Sequence, residues 1–146
     1  MASMECELCE RAGGEVLVED VCLRVVLVDD PDYPGFCRVI WNEHVKEMSD
    51  LPLEDRSRLF ETVVLVEKVI REVLEPDKVN LASLGNVVPH LHWHVIPRFR
   101  DDRCFPSPIW ATAVREAAPR ALPDGWKETL REALVDHLNA SRAGSD

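Results

Sequence analysis

Residues 85–98 read Gly-Asn-Val-Val-Pro-His-Leu-His-Trp-His-Val-Ile-Pro-Arg, and this stretch decides the fold. Its three histidines, His90, His92 and His94, alternate with apolar residues. Because side chains alternate across a strand, a strand here places the imidazoles on one face, with about 6.6 Å between successive members. The apolar residues then point the other way, into a core. The stretch therefore predicts a strand over residues 90–98 with one buried side and one histidine-bearing side.

Three imidazoles on one strand are compatible with two chemistries. They can ligate a metal, as histidines do at catalytic zinc sites. Alternatively, one imidazole attacks phosphorus or a carbonyl carbon while its neighbours handle protons and charge. In that case the second ring nitrogen needs a hydrogen-bond acceptor that fixes the tautomer. The spacing alone leaves both chemistries open.

The remaining sequence predicts an α+β domain in which a helix packs on an antiparallel sheet. Alternating or β-rich runs and turn formers predict strands at 16–18, 21–28, 37–41 and 78–84, with a loop over 29–35. Apolar residues at helical spacing predict a long helix between Pro52 and Pro76 and a second amphipathic helix from Trp126 to Leu138. Residues 101–121 are predicted to be irregular, and a frayed tail is expected from Ala140.

Composition limits the class of protein. The 146 residues fit a single domain over 1–146, with a core at about 5–100 and a C-terminal extension at 101–146. The net charge of −10 disfavours binding to nucleic acid polymers but allows a small anionic ligand in a local pocket. No apolar run approaches the roughly 20 residues that span a membrane, and no secretory signal is visible. Five cysteines, an odd number, fit reduced thiols, so we expect a cytoplasmic protein that does not bind membranes.

The histidine stretch resembles the signature of the histidine triad (HIT) family, in which histidines alternate with hydrophobic residues. Residues 34–44, Pro-Gly-Phe-Cys-Arg-Val-Ile-Trp-Asn-Glu-His, resemble the Gly-His-x-Leu-Val-Ile-Pro-x-x-His strand of that family. The order of elements agrees from about Val16 to Arg98. The resemblance implies an antiparallel sheet with one long helix packed on it and a C-terminal helix. It also implies a homodimer whose sheets join across a two-fold axis.

The resemblance implies hydrolases and transferases that act on the α-phosphate of nucleotides. His92 would be the nucleophile that carries a transient nucleotidyl group. His94 would contact a phosphate oxygen and help to protonate the leaving group, and His90 is the first member of the triad. We expect a purine nucleotide substrate and no organic cofactor. The resemblance does not decide between a phosphoramidase and a dinucleoside polyphosphate hydrolase. The alternative is a nucleotide-binding adaptor or sensor with residual hydrolysis.

Several positions depart from the family pattern. Phe36 stands where the family often has histidine, and Asn86 and Val87 stand where it has Gln with Ser or Thr. The absence of a hydroxyl at position 87 removes a donor to the phosphate or the leaving group. Asn86 and Asn80 are candidate donors to a phosphate, and Asp29 corresponds loosely to the ribose-binding acid of the family. All three are equally compatible with turn or cap residues.

The pair Cys6-Glu7-Leu8-Cys9 is half of a metal-binding signature. A tetrahedral zinc needs two more donors, and His44 and His90 are the candidates. HIT proteins with this N-terminal pair are similar in closing a site of two cysteines and two histidines, at positions that match His44 and His90 here. The resemblance therefore implies a structural zinc. The alternative is a pair of ordinary thiols near the N-terminus.

Overall fold

The computed structural model describes residues 5–117 and 119–143, and within them it contains one five-stranded antiparallel sheet. The strands are β1 (Glu15–Glu19), β2 (Leu23–Leu27), β3 (Cys37–Trp41), β4 (Lys78–Ala82) and β5 (His92–Arg98). Their order in the sheet is β1-β2-β3-β5-β4. The helices are α1 (Glu7–Glu10), α2 (Leu53–Leu74) and α3 (Trp126–Ala143), with a 3-10 turn at Met48–Asp50. The predicted α+β architecture, with α2 packed on the sheet and α3 near the C-terminus, is confirmed.

Two local predictions were wrong. The strand predicted from residue 90 begins at His92, because the N–H of His90 bonds to the carbonyl oxygen of Val88 in a turn. The tail predicted from Ala140 is helical to Ala143, and residues 144–146 lie outside the described range. The one-turn helix α1 was not predicted, since four residues carry too little periodicity to detect.

One face of the sheet carries the core. Alternate residues of the three central strands point to this face, including Val25, Val39 and Val95, each with no exposed surface. The buried side of α2 packs against them, and Leu130 and Leu134 of α3 join the same core. The C-terminal extension therefore packs with the predicted domain core, which supports our proposal of one domain over 1–146.

Helix α2 has the spacing that its burial requires. Its fully buried residues recur every three or four positions, which gives one continuous apolar stripe; they are Leu59, Val63, Val66, Val69 and Ile70. The helix ends where Glu75 adopts a left-handed conformation, with φ of 50°, immediately before Pro76. Neither α2 nor any other helix in the described ranges is long and apolar enough to cross a membrane.

The opposite face of the sheet is unusually polar for a covered surface. Every residue of β2 is buried, which means that both faces of the sheet are covered there. The N-terminal segment with α1 packs over Val26 and Ile40 on this second face. The strand register places the following polar side chains on it: Arg24, Arg38, Asn80, His92, His94 and Arg98.

A buried ion pair holds the irregular segment after β5 against the sheet. Arg98, 1% exposed, donates from Nε and Nη2 to the two carboxylate oxygens of Asp102 at 2.8 and 2.9 Å. Burial alone would raise the pKa of Asp102, but hydrogen bonds from Arg98 and from the N–H groups of Phe99 and Phe105 outweigh it. The pKa of Asp102 therefore lies below its usual value. The carboxylate organises the turn that leads the chain back over the polar face.

We predict that Asp102→Asn lowers the free energy of unfolding by about 3–5 kcal/mol at pH 7, because it leaves a buried guanidinium without its charged partner. A carboxyl whose pKa is depressed on folding contributes stability above its unfolded pKa, near 4, and loses it as the pH falls through the folded value. Wild type should therefore lose stability below about pH 4 more steeply than the variant. Urea titrations at pH 3 to 7 measure both effects.

The adjacent Asp101 provides a matched control. Its side chain is 63% exposed and pairs with Arg120 at the surface. Asp101→Asn should cost less than about 1 kcal/mol, as exposed ion pairs do. Equal losses for the two variants would contradict the role assigned to the buried pair.

Candidate active site

Four predicted metal ligands come together at one end of the polar face. The Sγ of Cys6 lies 3.3 Å from the Nδ1 of His90, and the Sγ of Cys9 lies 3.4 Å from the Nδ1 of His44. The Sγ of Cys9 also lies 3.5 Å from the Nδ1 of His90. All four ligand atoms lie within 4.8 Å of one another. Two sulfurs and two imidazole nitrogens in this arrangement match the donor set of a closed, four-coordinate zinc site.

The backbone fixes the tautomer of His90 in the form that a metal ligand needs. Its Nε2 lies 2.6 Å from the carbonyl oxygen of Trp41. A carbonyl only accepts, so Nε2 carries the proton and Nδ1 keeps a lone pair directed at the cysteines. Burial lowers the pKa of His90, which favours the same neutral ring. Metal-ligating histidines characteristically donate their second N–H in this way.

Arg24 holds the N-terminal segment that carries the cysteines. It is 6% exposed and lies on β2, on the same face as the cluster. All three of its nitrogens donate hydrogen bonds, and the acceptors are the carbonyl oxygens of Leu8, Arg11 and Ala12 and the Oδ1 of Asn42. The guanidinium therefore fastens α1 and the loop after it to the sheet.

Gly13 lets this loop approach the sheet closely. Its φ is +88°, a left-handed conformation that favours glycine. A Cβ at this position would lie 2.8 Å from Leu8 and 2.9 Å from Ile40. The close approach brings the carbonyl oxygen of Gly13 within 3.0 Å of the Nη1 of Arg38.

His92 has the opposite tautomer to His90. Its Nδ1 lies 2.6 Å from the carbonyl oxygen of His90, so Nδ1 carries the proton and Nε2 keeps its lone pair. Burial and, to a smaller extent, the charge of Arg38 lower the pKa of His92. The ring is therefore neutral near pH 7. A neutral imidazole with a fixed, unprotonated nitrogen is the form that acts as a nucleophile.

His94 lies beside His92 among aromatic rings. Its ring centroid lies 4.9 Å from that of His92, 5.5 Å from Phe36 and 5.1 Å from Trp110. Its Nδ1 is buried and has no hydrogen-bond partner among the described residues. Burial, with smaller effects of His92 and Arg38, lowers the pKa of His94 to about 4. In the free site both imidazoles are therefore uncharged.

An open cleft runs along these two imidazoles. One wall is the turn at residues 84–88, in which Gly85 has φ of +79°. The other side includes Arg38, and Trp110 comes from the segment anchored by the buried ion pair after β5. Asn86 also lines the cleft, and its contact with a phosphate stays a prediction. The arrangement can hold a small ligand with one end against His92.

The sequence profile of the HIT domain matches residues 11–101, which is more than half of the chain. The chain belongs to the HIT family. Solved HIT structures share its fold: a histidine triad protein from Marinobacter aquaeolei VT8 is 27% identical, with a TM-score of 0.73 over 93% of this chain and 98% of that one. A zinc-bound histidine triad family protein from Mycobacterium smegmatis is 25% identical, with a TM-score of 0.64 over 94% and 98% of the two chains.

A curated relative matches a shorter region of this HIT chain. The bis(5'-adenosyl)-triphosphatase of Saccharomyces cerevisiae (strain YJM789) is 32% identical over 76 residues. The match covers 48% of this chain and 37% of the relative. The chain thus spans well under half of the length of that relative.

Two of the predicted nucleotide-binding residues of the HIT site lie apart from the cleft. Asn80 is on the same face of the sheet, but its Oδ1 accepts a hydrogen bond of 2.7 Å from Arg98. Asp29 lines a separate depression with Trp126 and Lys127. Their proposed contacts to a nucleotide therefore stay predictions, whereas Asn86 at least lines the same cleft as His92.

Two residues of the cleft were missed from the sequence. Arg38 could have been found, since a charged residue at the second position of a buried strand must lie on the face opposite the core. Trp110 carried no such signal, because it lies in an irregular segment whose path depends on the buried contacts of Arg98. Both residues line the cleft together with His94.

We predict that His90 and His92 show opposite tautomers in solution, because each ring donates to a carbonyl oxygen from a different nitrogen. In ¹H–¹⁵N long-range correlation spectra at pH 7, His90 should be protonated at Nε2 and His92 at Nδ1. The signals of His92 are identified because they are missing from the spectrum of His92→Asn. The same tautomer for both rings would contradict the hydrogen bonds described above.

Proposed function

We propose that this HIT protein cleaves purine nucleotide derivatives at the α-phosphorus through a nucleotidyl group on His92. The observation that carries the proposal is the hydrogen bond from the Nδ1 of His92 to the carbonyl oxygen of His90, which leaves Nε2 unprotonated at the cleft. Membership of the HIT family and the 32% identity with a bis(5'-adenosyl)-triphosphatase support hydrolysis. Diadenosine triphosphate is therefore the first substrate to assay, and a nucleoside phosphoramidate the second.

The proposed reaction has two displacements. In the first, the Nε2 lone pair of His92 forms a bond to the α-phosphorus while the bond from phosphorus to the leaving group breaks. His94 contacts a phosphate oxygen and delivers a proton to the leaving group, and the negative charge of a bound phosphate raises the pKa of its ring for this task. In the second, water attacks phosphorus and gives a proton to His94, the phosphorus–nitrogen bond breaks, and a nucleoside monophosphate leaves. His92 returns to its neutral form.

A metalloenzyme that uses all three triad histidines is less well supported. Among the residues that the structure describes, the one group of converging metal-ligand atoms contains His90 but neither His92 nor His94. The Nδ1 of His92 is also occupied by its bond to the carbonyl of His90. The metal and the proposed nucleophile thus belong to two separate clusters.

A nucleotide-binding adaptor or sensor is the second candidate function. Val87 lies on the cleft wall, is 93% exposed, and has no hydroxyl to offer to a phosphate or a leaving group. A site that binds a nucleotide but lacks this donor would turn it over slowly. The rate of hydrolysis therefore separates the two candidates.

We propose that Cys6, Cys9, His44 and His90 hold a structural zinc. The fit rests on the converging ligand atoms and on the second N–H of His90, which the carbonyl of Trp41 occupies. Zinc held there would connect the N-terminal segment to His44, which follows β3, and to His90, which precedes β5. It takes no part in the proposed displacement.

We also propose a homodimer, as the resemblance to the family implies. The strand β4 is at the edge of the sheet, and Leu81 on it and Leu84 after it are 38% and 53% exposed. An exposed edge with apolar side chains is a surface that pairs readily with a second chain. A solution mass of one chain by light scattering would contradict this assembly.

We predict that His92→Asn keeps the affinity for AMP within a few-fold of wild type while turnover of diadenosine triphosphate falls by several orders of magnitude. The variant removes the attacking nitrogen but leaves the cleft wall and the other donors in place. Calorimetry with AMP measures the affinity, and a coupled assay for the ADP that leaves measures the turnover. With a slow substrate, rapid acid-free quenching of wild type should trap the nucleotide on His92 through an acid-labile phosphorus–nitrogen bond.

His94→Ala serves as the comparison for this experiment. It should lose less activity with a good leaving group than with a poor one, because a good leaving group needs little protonation. Substantial turnover by His92→Asn, or a label on another residue, would refute the nucleophile and favour the adaptor.

We predict that the purified protein carries close to one zinc per chain and loses thermal stability when a chelator removes it. A Cys6→Ser, Cys9→Ser double variant should lose the metal, as measured by mass spectrometry of the metal content. Cys37→Ser is the matched control, since Cys37 is buried in the core away from the cluster. Full zinc occupancy in the double variant would show that this ligand set is wrong.

A further inference from the structure

Arg38 lies in the candidate active site with most of its donors unused. In the pairing of β3 with β5 it is directly opposite His94, so both side chains lie on the same face of the sheet. Its Nη1 donates to the carbonyl oxygen of Gly13 at 3.0 Å. Its buried Nε has no hydrogen-bond partner among the described residues. Because a guanidinium has five N–H donors, one carbonyl satisfies only a small part of it.

Arg24 shows how a structural arginine is satisfied on the same face. It donates from all three nitrogens, to carbonyl oxygens of the N-terminal segment and to the side chain of Asn42. Those bonds explain why Arg24 is buried there. The one hydrogen bond that Arg38 donates to a described residue does not account for its partial burial in this way. Its side chain instead lines the open cleft.

The charges near Arg38 leave its cation largely uncompensated. Glu7 lines the same cleft and attracts the guanidinium, but it is exposed and forms no ion pair within 4.0 Å of it in the described part of the chain. The ring of His94, which faces Arg38 across the strand pair, is neutral near pH 7, since burial lowers its pKa to about 4. A partly buried cation without a paired anion costs free energy, and such groups mark ligand sites.

We propose that Arg38 binds the phosphate oxygens of the nucleotide that His92 attacks. The planar fork of donors on a guanidinium matches two phosphate oxygens, which is a geometry that a lysine cannot provide. Its positive charge would supply the phosphate interaction that Val87, which has no hydroxyl, does not provide. This inference rests on the proposed function, because it takes the α-phosphate to lie against His92. The ligand class is a nucleoside phosphate.

Calorimetry with AMP and adenosine tests the proposal on wild type, Arg38→Gln and Arg38→Lys. Loss of a hydrogen-bonded charge should raise the Kd of AMP at least about tenfold in Arg38→Gln, with Arg38→Lys in between. The affinity of adenosine, measured by competition, should stay unchanged because adenosine has no phosphate. Glu7→Gln is the opposing control and should tighten AMP binding, since it removes a competing negative charge.

Two outcomes would overturn the proposal. One is an unchanged Kd of AMP in Arg38→Gln. The other is an equal loss of affinity for AMP and adenosine, which would mean that Arg38 contacts the nucleoside or has only a structural role. If Arg38→Gln does not fold, as judged by its thermal unfolding, Arg38→Lys carries the same comparison because it keeps the charge. These measurements need no turnover. Failure of His92 as nucleophile would therefore show in the kinetic experiment and leave the result for Arg38 standing.

Discussion

Two backbone carbonyl oxygens determine what the imidazoles of this protein can do. The carbonyl of Trp41 takes the Nε2 proton of His90, and the carbonyl of His90 takes the Nδ1 proton of His92. A carbonyl cannot donate, so each bond forces one tautomer and releases the other nitrogen. One ring thereby keeps a lone pair beside the cysteines, and the next keeps a lone pair in the ring that lines the cleft. The strand order brings the carbonyl of Trp41 to His90, because β3 and β5 are neighbours in the sheet, whereas the bond between His92 and His90 is local in the chain.

Three arginines on the polar face differ in how many of their N–H donors are used. Arg24 is saturated by the N-terminal segment, and Arg98 is paired with the buried carboxylate of Asp102. Each of these two fixes a piece of chain that covers the face. Within residues 5–117 and 119–143, Arg38 donates one hydrogen bond, to the carbonyl of Gly13, and its side chain lines the cleft. Arg24 and Arg98 thus hold the segments that cover the polar face, and Arg38 has free donors for a ligand in the cleft.

Much of this organisation could be predicted from the sequence, because it follows from periodicity. The alternation at residues 90–98 gave the two faces of β5, the strand at Cys37–Trp41 was predicted with its observed bounds, and the spacing of apolar residues gave α2. The convergence of Cys6 and Cys9 with two distant histidines was predicted from the family resemblance. The cover contributed by the segment after β5 could not be predicted. It depends on the long-range contacts of Arg98, and neither pattern nor propensity encodes the resulting position of Trp110 over His94.

The start of β5 at His92 gives residue 90 two separable parts. Its imidazole points into the cysteine cluster, whereas its carbonyl oxygen, part of the main chain, orients the neighbouring ring. The orientation of the His92 ring therefore requires only a backbone path, which any amino acid except proline can follow, since the turn uses the N–H of residue 90. A change of the side chain at residue 90 can therefore remove a nitrogen from the cluster and still leave the acceptor that orients His92. The cluster and the cleft are adjacent in space, but they depend on different atoms of the same residue.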